Sequence, residues 1–145
     1  MITVTRRIEA TPPQLWQLVS DVERWPELVP TVDDVENVGC TGPTREGSRF
    51  RVRQPGLVPA TYEVTDWRPG ESFAWRASTP GLLTVATHEL LPDGEGTLLR
   101  LSIGWHGPLA VAIRALIGKK ARRYVDQEAL AFARAASSMF SREHR

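Results

Sequence analysis

The stretch Asp21-Val22-Glu23-Arg24-Trp25-Pro26-Glu27-Leu28-Val29-Pro30, DVERWPELVP, sets a tryptophan directly before a proline inside a helical pattern. The proline ring crowds the backbone of the residue before it, so Pro26 disfavours the α conformation at Trp25 and the helix must break or kink there. Asp21 stands where the cap of a second short helix belongs. Upstream, Thr11 is placed to cap a first helix and Pro12 to occupy its first position. Leu15, Trp16, Leu18 and Val19 then form one apolar face over about residues 12–20. Two short helices in a V are expected, closing one end of whatever follows, with Trp25 either packed beneath a sheet edge or lining a mouth.

Outward from this pair, the chain reads as strands. Residues 2–9, ITVTRRIE, carry β-branched residues in loose alternation. After Pro30 the pattern stays strand-like for about 75 residues, with turn signals at 39–47, 54–59, 69–70, 79–81 and 92–96. Six further strands fit between them. Phe50/Val52/Gln54 alternate with Arg49/Arg51/Arg53, and Tyr62/Val64, Phe73/Trp75 and Leu99/Leu101/Ile103/Trp105 alternate in the same way with polar neighbours. Side chains two apart share a face, so an antiparallel sheet with one wet and one covered face is expected.

The cover is the C-terminal segment. Gly107-Pro108 signals a helix start, and Ala121, Val125, Ala129, Phe132, Ala136 and Met139 recur at spacings of three and four, which predicts one amphipathic helix over about 108–140. Gly118 in its first third marks a candidate bend or close approach.

The 145 residues suit a single domain spanning 1–145, large enough to bury roughly 68–70% of its unfolded surface and to hold a core with a pocket in it. With 41% hydrophobic and 24% charged residues, neither a disordered chain nor a coiled coil is suggested. A net charge of +1 supplies no field that would draw in nucleic acid. The lone Cys40 has no internal disulfide partner and no cue for thiolate activation, and no signal-like or membrane-spanning run is present. A cytoplasmic setting without stable membrane insertion is the simplest expectation. No GxSxG, Walker or GxGxxG motif occurs, and three histidines without HExxH or CxxC spacing give no metal site, so no cofactor is expected.

The order strand, two short helices, six strands and long helix resembles that of the SRPBCC superfamily, which groups START lipid-binding domains, bacterial polyketide cyclases/aromatases and birch-pollen-allergen-like proteins. The carriers of the resemblance are Ile8-Glu9-Ala10 with Pro12-Pro13-Gln14-Leu15-Trp16, then Asp21 to Glu27, Gly47-Ser48-Arg49-Phe50, Gly94-Glu95-Gly96-Thr97 and the terminal helix. It covers nearly all of the chain and implies an α+β helix-grip fold, a curved seven-stranded antiparallel sheet wrapped around a long C-terminal helix. It also implies a deep apolar cavity for lipids, polyketides, sterols or aromatic compounds. Many members are carriers; the aromatase/cyclase branch folds a poly-β-ketone chain and promotes aldol closure without metal or diffusible cofactor.

The face expected to line that cavity comprises Phe50, Val52, Gln54, Tyr62, Val64, Phe73, Trp75, Leu101, Ile103 and Trp105, joined by His88 and by Tyr124 at the edge of the helical stripe. In LLTVATHELL both faces carry apolar residues; Glu89 is assigned to solvent and His88 inward. There His88 is either a hydrogen-bonded core residue or, with Tyr62, a catalytic pair in which the imidazole orients a carbonyl or acts as base. His106 reads as a junction residue and His144 as part of the tail. Lys119, Lys120, Arg122 and Arg123 form a basic cluster that is either a solvated surface or a contact for an anionic membrane, an acidic lipid head group or an acyl-carrier protein. The inward arginine that would position a polyketide is missing from the pattern, because Arg49, Arg51, Arg53 and Arg76 alternate outward. A carrier of an apolar small molecule is the first expectation and a cyclase the second, as monomer or homodimer.

Overall fold

A computed structural model describes residues 1–39 and 42–140, and the expectations for Cys40 and His144 lie outside them. The chain runs β1 (Ile2–Ile8), α1 (Pro12–Val19), a single 3₁₀ turn (Val22–Arg24), α2 (Trp25–Leu28), β2 (Asp34–Asn37), β3 (Arg49–Arg53), β4 (Ala60–Arg68), β5 (Ser72–Thr79), β6 (Leu82–Asp93), β7 (Gly96–His106) and α3 (Ala110–Phe140). The strands form one seven-stranded antiparallel sheet of order β1-β7-β6-β5-β4-β3-β2, the helix-grip arrangement. Strands β2 to β7 pair in sequence as a meander, while α1 and α2 carry the chain across from β1 to β2 at opposite edges.

Helix α1 begins in a capping box: the Gln14 amide donates to Thr11 Oγ1 at 3.4 Å and the Thr11 amide to Gln14 Oε1 at 3.0 Å. Its start is tied to the sheet by the buried Thr97 hydroxyl, which donates to the Ala10 carbonyl at 2.7 Å. The break between the helices differs from the expectation. Trp25 is itself α-helical (φ −54°, ψ −36°), and the chain departs from helix earlier, at Asp21 (φ −87°, ψ 67°), whose side chain makes no capping bond. Pro26 falls in the first turn of α2, where a missing N–H costs nothing. The mild preference against helix before proline is outweighed by burying the indole, which is 2% exposed and donates to the Val19 carbonyl at 3.2 Å.

Phe50 and Val52 are buried while Arg49, Arg51 and Arg53 are exposed, as period-two alternation requires. In β4 the alternation is interrupted. Val64 pairs with Trp75 but Asp66 with Ala74, so Thr65 is an extra residue, a bulge that shifts the phase and brings Trp67 beside Phe73. Trp67 there packs on Phe73 and Trp16 at 5.3 and 5.1 Å between ring centroids.

Helix α3 starts at Ala110 rather than 108, after Gly107 at φ +105°. Ala121, Val125, Ala129, Phe132, Ala136 and Phe140 are its buried stripe; Met139 is 52% exposed, and Phe140 takes the place expected for it. The helix is continuous through Gly118, where an added Cβ would meet only Arg114 Cγ at 3.6 Å, so the glycine marks neither a bend nor a tight approach. Helix α3 packs on α1, β1 and β7, and Phe132 and Ala136 are fully buried towards its C-terminal end. Towards its N-terminal end it leaves space above the sheet.

Candidate ligand-binding cavity

That space is a cavity of about 500 Å³. Its floor is the sheet, with Val52, Tyr62, Trp75, Ala77, Thr84, Ala86, His88, Leu101, Ile103 and Trp105; its roof is α3, with Ile113, Ile117, Ala121, Tyr124, Val125 and Glu128. The β3–β4 loop (54–59) forms one side, and Trp25 with Val32 forms another part of the wall. A smaller depression of about 250 Å³ lies beside the start of α3, lined by Met1, Trp105, the exposed His106 and Arg114 among others. It has none of the buried polar groups described below.

Nine of the twelve expected lining residues meet in the cavity: Val52, Gln54, Tyr62, Trp75, His88, Leu101, Ile103, Trp105 and Tyr124. Phe50, Val64 and Phe73 do not line it. They face inward as the alternation predicts, but are 0%, 2% and 1% exposed within the core. For Phe73 the reason is visible in its neighbours: His88 stacks on its ring at 4.1 Å and 9° between planes, and Trp16, Trp25 and Trp67 surround it. The short helices fill that end of the sheet, so only the other end stays open.

Trp25 is both core and wall. Its ring centroid lies 5.3 Å from Trp75, 5.4 Å from His88 and 5.6 Å from Phe132. Glu128 escaped the sequence reading altogether. The signal for it was the recurrence of Ile117, Ala121, Tyr124 and Glu128 at spacings of four, three and four, which places a carboxylate on the same helical face as the apolar lining.

Glu128 Oε1 lies 3.4 Å from His88 Nε2, with side-chain exposures of 13% and 5%. Neither Glu128 Oε1 nor His88 Nδ1 has a hydrogen-bond partner of good geometry among the described residues. Tyr62 stacks on Trp75 at 4.9 Å. Burial, and secondarily the negative charge of Glu128, push the Tyr62 hydroxyl up to about 12, so it keeps its proton and its capacity to donate across the neutral range.

On the loop side, α3 holds residues 54–59 by two clips. The Tyr124 hydroxyl donates to the Pro55 carbonyl, and Lys120 Nζ donates to the Gly56 carbonyl at 3.3 Å while lying 5.8 Å from the Tyr124 ring centroid. Gly56 sits at φ +73°, a left-handed conformation natural to glycine, with the lysine ammonium where a Cβ would be. The Tyr124 hydroxyl is already engaged by the loop, and Lys120 leaves the basic cluster to serve the same contact, while Lys119, Arg122 and Arg123 remain exposed.

Among the described residues no three His, Cys, Asp or Glu side chains gather as a metal site, and no helix is long and apolar enough to cross a membrane.

A long helix gripped by a curved antiparallel sheet, with a cavity between them, is the architecture of the START/SRPBCC superfamily. Within it, residues 1–137 match the family described as polyketide cyclase / dehydrase and lipid transport, and the chain belongs to that family. Among solved structures it is similar to TTHA0849 from Thermus thermophilus, at 21% identity and a TM-score of 0.73 over 96% of this chain and 98% of that one. A START superfamily protein from Mycobacterium smegmatis has 16% identity and a TM-score of 0.70 over 95% and 97%. The di-domain ARO/CYC BexL has 18% identity and a TM-score of 0.67 over 91% of this chain and 44% of its own. No curated protein sequence matches the chain.

Proposed function

We propose that the protein binds an apolar small molecule, a lipid, polyketide or aromatic compound, in the cavity beneath α3 and acts as a carrier or binding protein. The observation that carries this reading is the cavity itself: about 500 Å³ walled mainly by aliphatic and aromatic side chains, the usual character and size of a small-molecule site. Membership of a family described by both cyclisation and lipid transport supports it. A ligand that binds only the folded state at one hundred times its Kd adds about 2.7 kcal/mol of stability. Thermal unfolding against lipid extracts and hydrophobic dyes tests this, and unchanged unfolding at concentrations well above micromolar contradicts it.

A second reading, cyclase-type catalysis, is favoured by His88, Glu128 and Tyr62 meeting in one cavity. On that reading the His88–Glu128 pair takes a proton from the carbon between two ketones. The enolate carbon forms a C–C bond to a second carbonyl, and the Tyr62 hydroxyl stabilises the alkoxide, which takes up that proton to become the aldol hydroxyl; the pair then removes the remaining α proton as the C–O bond breaks, and the leaving hydroxyl takes that proton and departs as water. The substrate would arrive on an acyl-carrier protein, for which Lys119, Arg122 and Arg123 offer exposed positive charge on the roof helix. Unchanged turnover of a poly-β-ketone by His88→Ala contradicts the role of His88.

A further inference from the structure

The polar wall of the cavity is unbalanced in a way that constrains what enters it. Glu128 is the one carboxylate among the described lining residues, and no lysine or arginine is among them. Lys120, on the roof helix, is turned to the Gly56 carbonyl. His88 Nε2 faces Glu128 at 3.4 Å, while among the described residues Nδ1 is buried without a partner, with Phe73 stacked on the imidazole at 4.1 Å and Trp25 5.4 Å away.

Glu128 turns Oε1 to His88, and its side chain, 13% exposed, lines the largely apolar chamber as an acceptor. A carboxylate in such surroundings gains from any donor that reaches it. An incoming carboxylate would meet like charge in a largely apolar wall with no lysine or arginine in the described lining to offset it. An incoming hydroxyl would satisfy Glu128, and could accept in turn from Tyr62, whose hydroxyl remains protonated.

We infer that the cavity selects ligands whose inner end is a hydroxyl group donating to Glu128, such as an apolar alcohol or phenol, and rejects the corresponding carboxylic acids. This rests on the reading that the cavity binds an apolar molecule. A hydrogen bond to a charged group is worth a factor of about 10 to 100 in affinity.

The test is isothermal titration calorimetry of the full chain at neutral pH with three ligands of one shape, naphthalene, naphthol and naphthoate, and with Nile red as a neutral apolar probe. The expected order is naphthol about 10- to 100-fold tighter than naphthalene, with naphthoate weakest. In Glu128→Gln the penalty on naphthoate shrinks and the advantage of naphthol falls by at least about tenfold. Because the ranking in the unsubstituted protein is decisive by itself, a failure of the variant to fold does not rescue or sink the inference. Naphthoate binding as tightly as naphthol overturns the hydroxyl preference. Equal affinities for all three overturn it too while leaving the apolar cavity reading intact, whereas no binding by any of the three or by Nile red overturns both.

Discussion

Replacing Trp25 separates its two roles. The indole is 2% exposed and touches Phe73, Trp75, His88 and Phe132, and its N–H is given to the Val19 carbonyl. A buried aromatic side chain removes about 150–250 Å² from water, which at about 25 cal/mol per Å² is on the order of 5 kcal/mol. Measured truncations of this type cost about 3–5 kcal/mol because neighbours collapse only in part. Trp25→Ala is therefore expected to lose about 3–5 kcal/mol, a large fraction of the about 5–15 kcal/mol by which domains are stable. Trp25→Phe keeps most of the buried area but leaves the Val19 carbonyl without its donor, and is expected to lose about 2 kcal/mol. Urea unfolding followed by far-ultraviolet circular dichroism, with slopes compared to confirm two-state behaviour, measures both. A loss below about 1 kcal/mol for Trp25→Ala would refute the reasoning that this side chain holds the short helices against the sheet. Trp25→Phe folding normally but losing ligand affinity would show that its contribution as cavity wall outweighs its contribution as core.

Other expectations follow from the same contacts. Tyr62 is raised from 10.0 to about 12 in the folded protein, so below pH 10 both states hold the proton and its stabilisation is complete. Between pH 10 and 12 the unfolded chain ionises first, and stability falls by about 1–3 kcal/mol; Tyr62→Phe should flatten that part of the stability-against-pH curve. Tyr124→Phe removes the clip on Pro55, and ligand dissociation measured by stopped-flow should accelerate several-fold with little change in unfolding midpoint. Thr97→Val strands the Ala10 carbonyl inside the protein and should cost about 1–3 kcal/mol in chemical denaturation.

Much of this architecture was legible because it depends on local rules. The arginine alternation in β3 set its buried face, the Thr11 cap with Pro12 set the start of α1, and the turn signals divided the sheet. What was not legible depends on packing between distant segments. Pro26 gave a local reason to break the helix at Trp25, yet the tertiary contacts of the indole keep that residue helical and move the break to Asp21. Strand alternation says which residues point inward but not where the covering elements reach. Phe50, Val64 and Phe73 were thus indistinguishable in sequence from Tyr62 and Trp75, although only the latter two border open space. The β4 bulge left no simple mark, since a single extra residue looks like ordinary alternation until its partner strand is known. Glu128 was hidden by its company, one acidic residue in a charged helix whose meaning depends on His88 lying across from it.

The central claim, that the space under α3 is where an apolar molecule binds, is tested most directly by filling it. Ala86 lies on the cavity floor between Trp75 and Ile103 in neighbouring strands, so Ala86→Phe projects a ring into the space that the ligand would take. The measurement is Nile red affinity of this variant beside the unsubstituted chain, with circular dichroism confirming the fold. The account predicts binding to the unsubstituted protein at one site and a loss of at least about tenfold in the variant, since overlap with a side chain excludes the ligand outright. Equal affinity in a folded Ala86→Phe protein would place the binding elsewhere and contradict it.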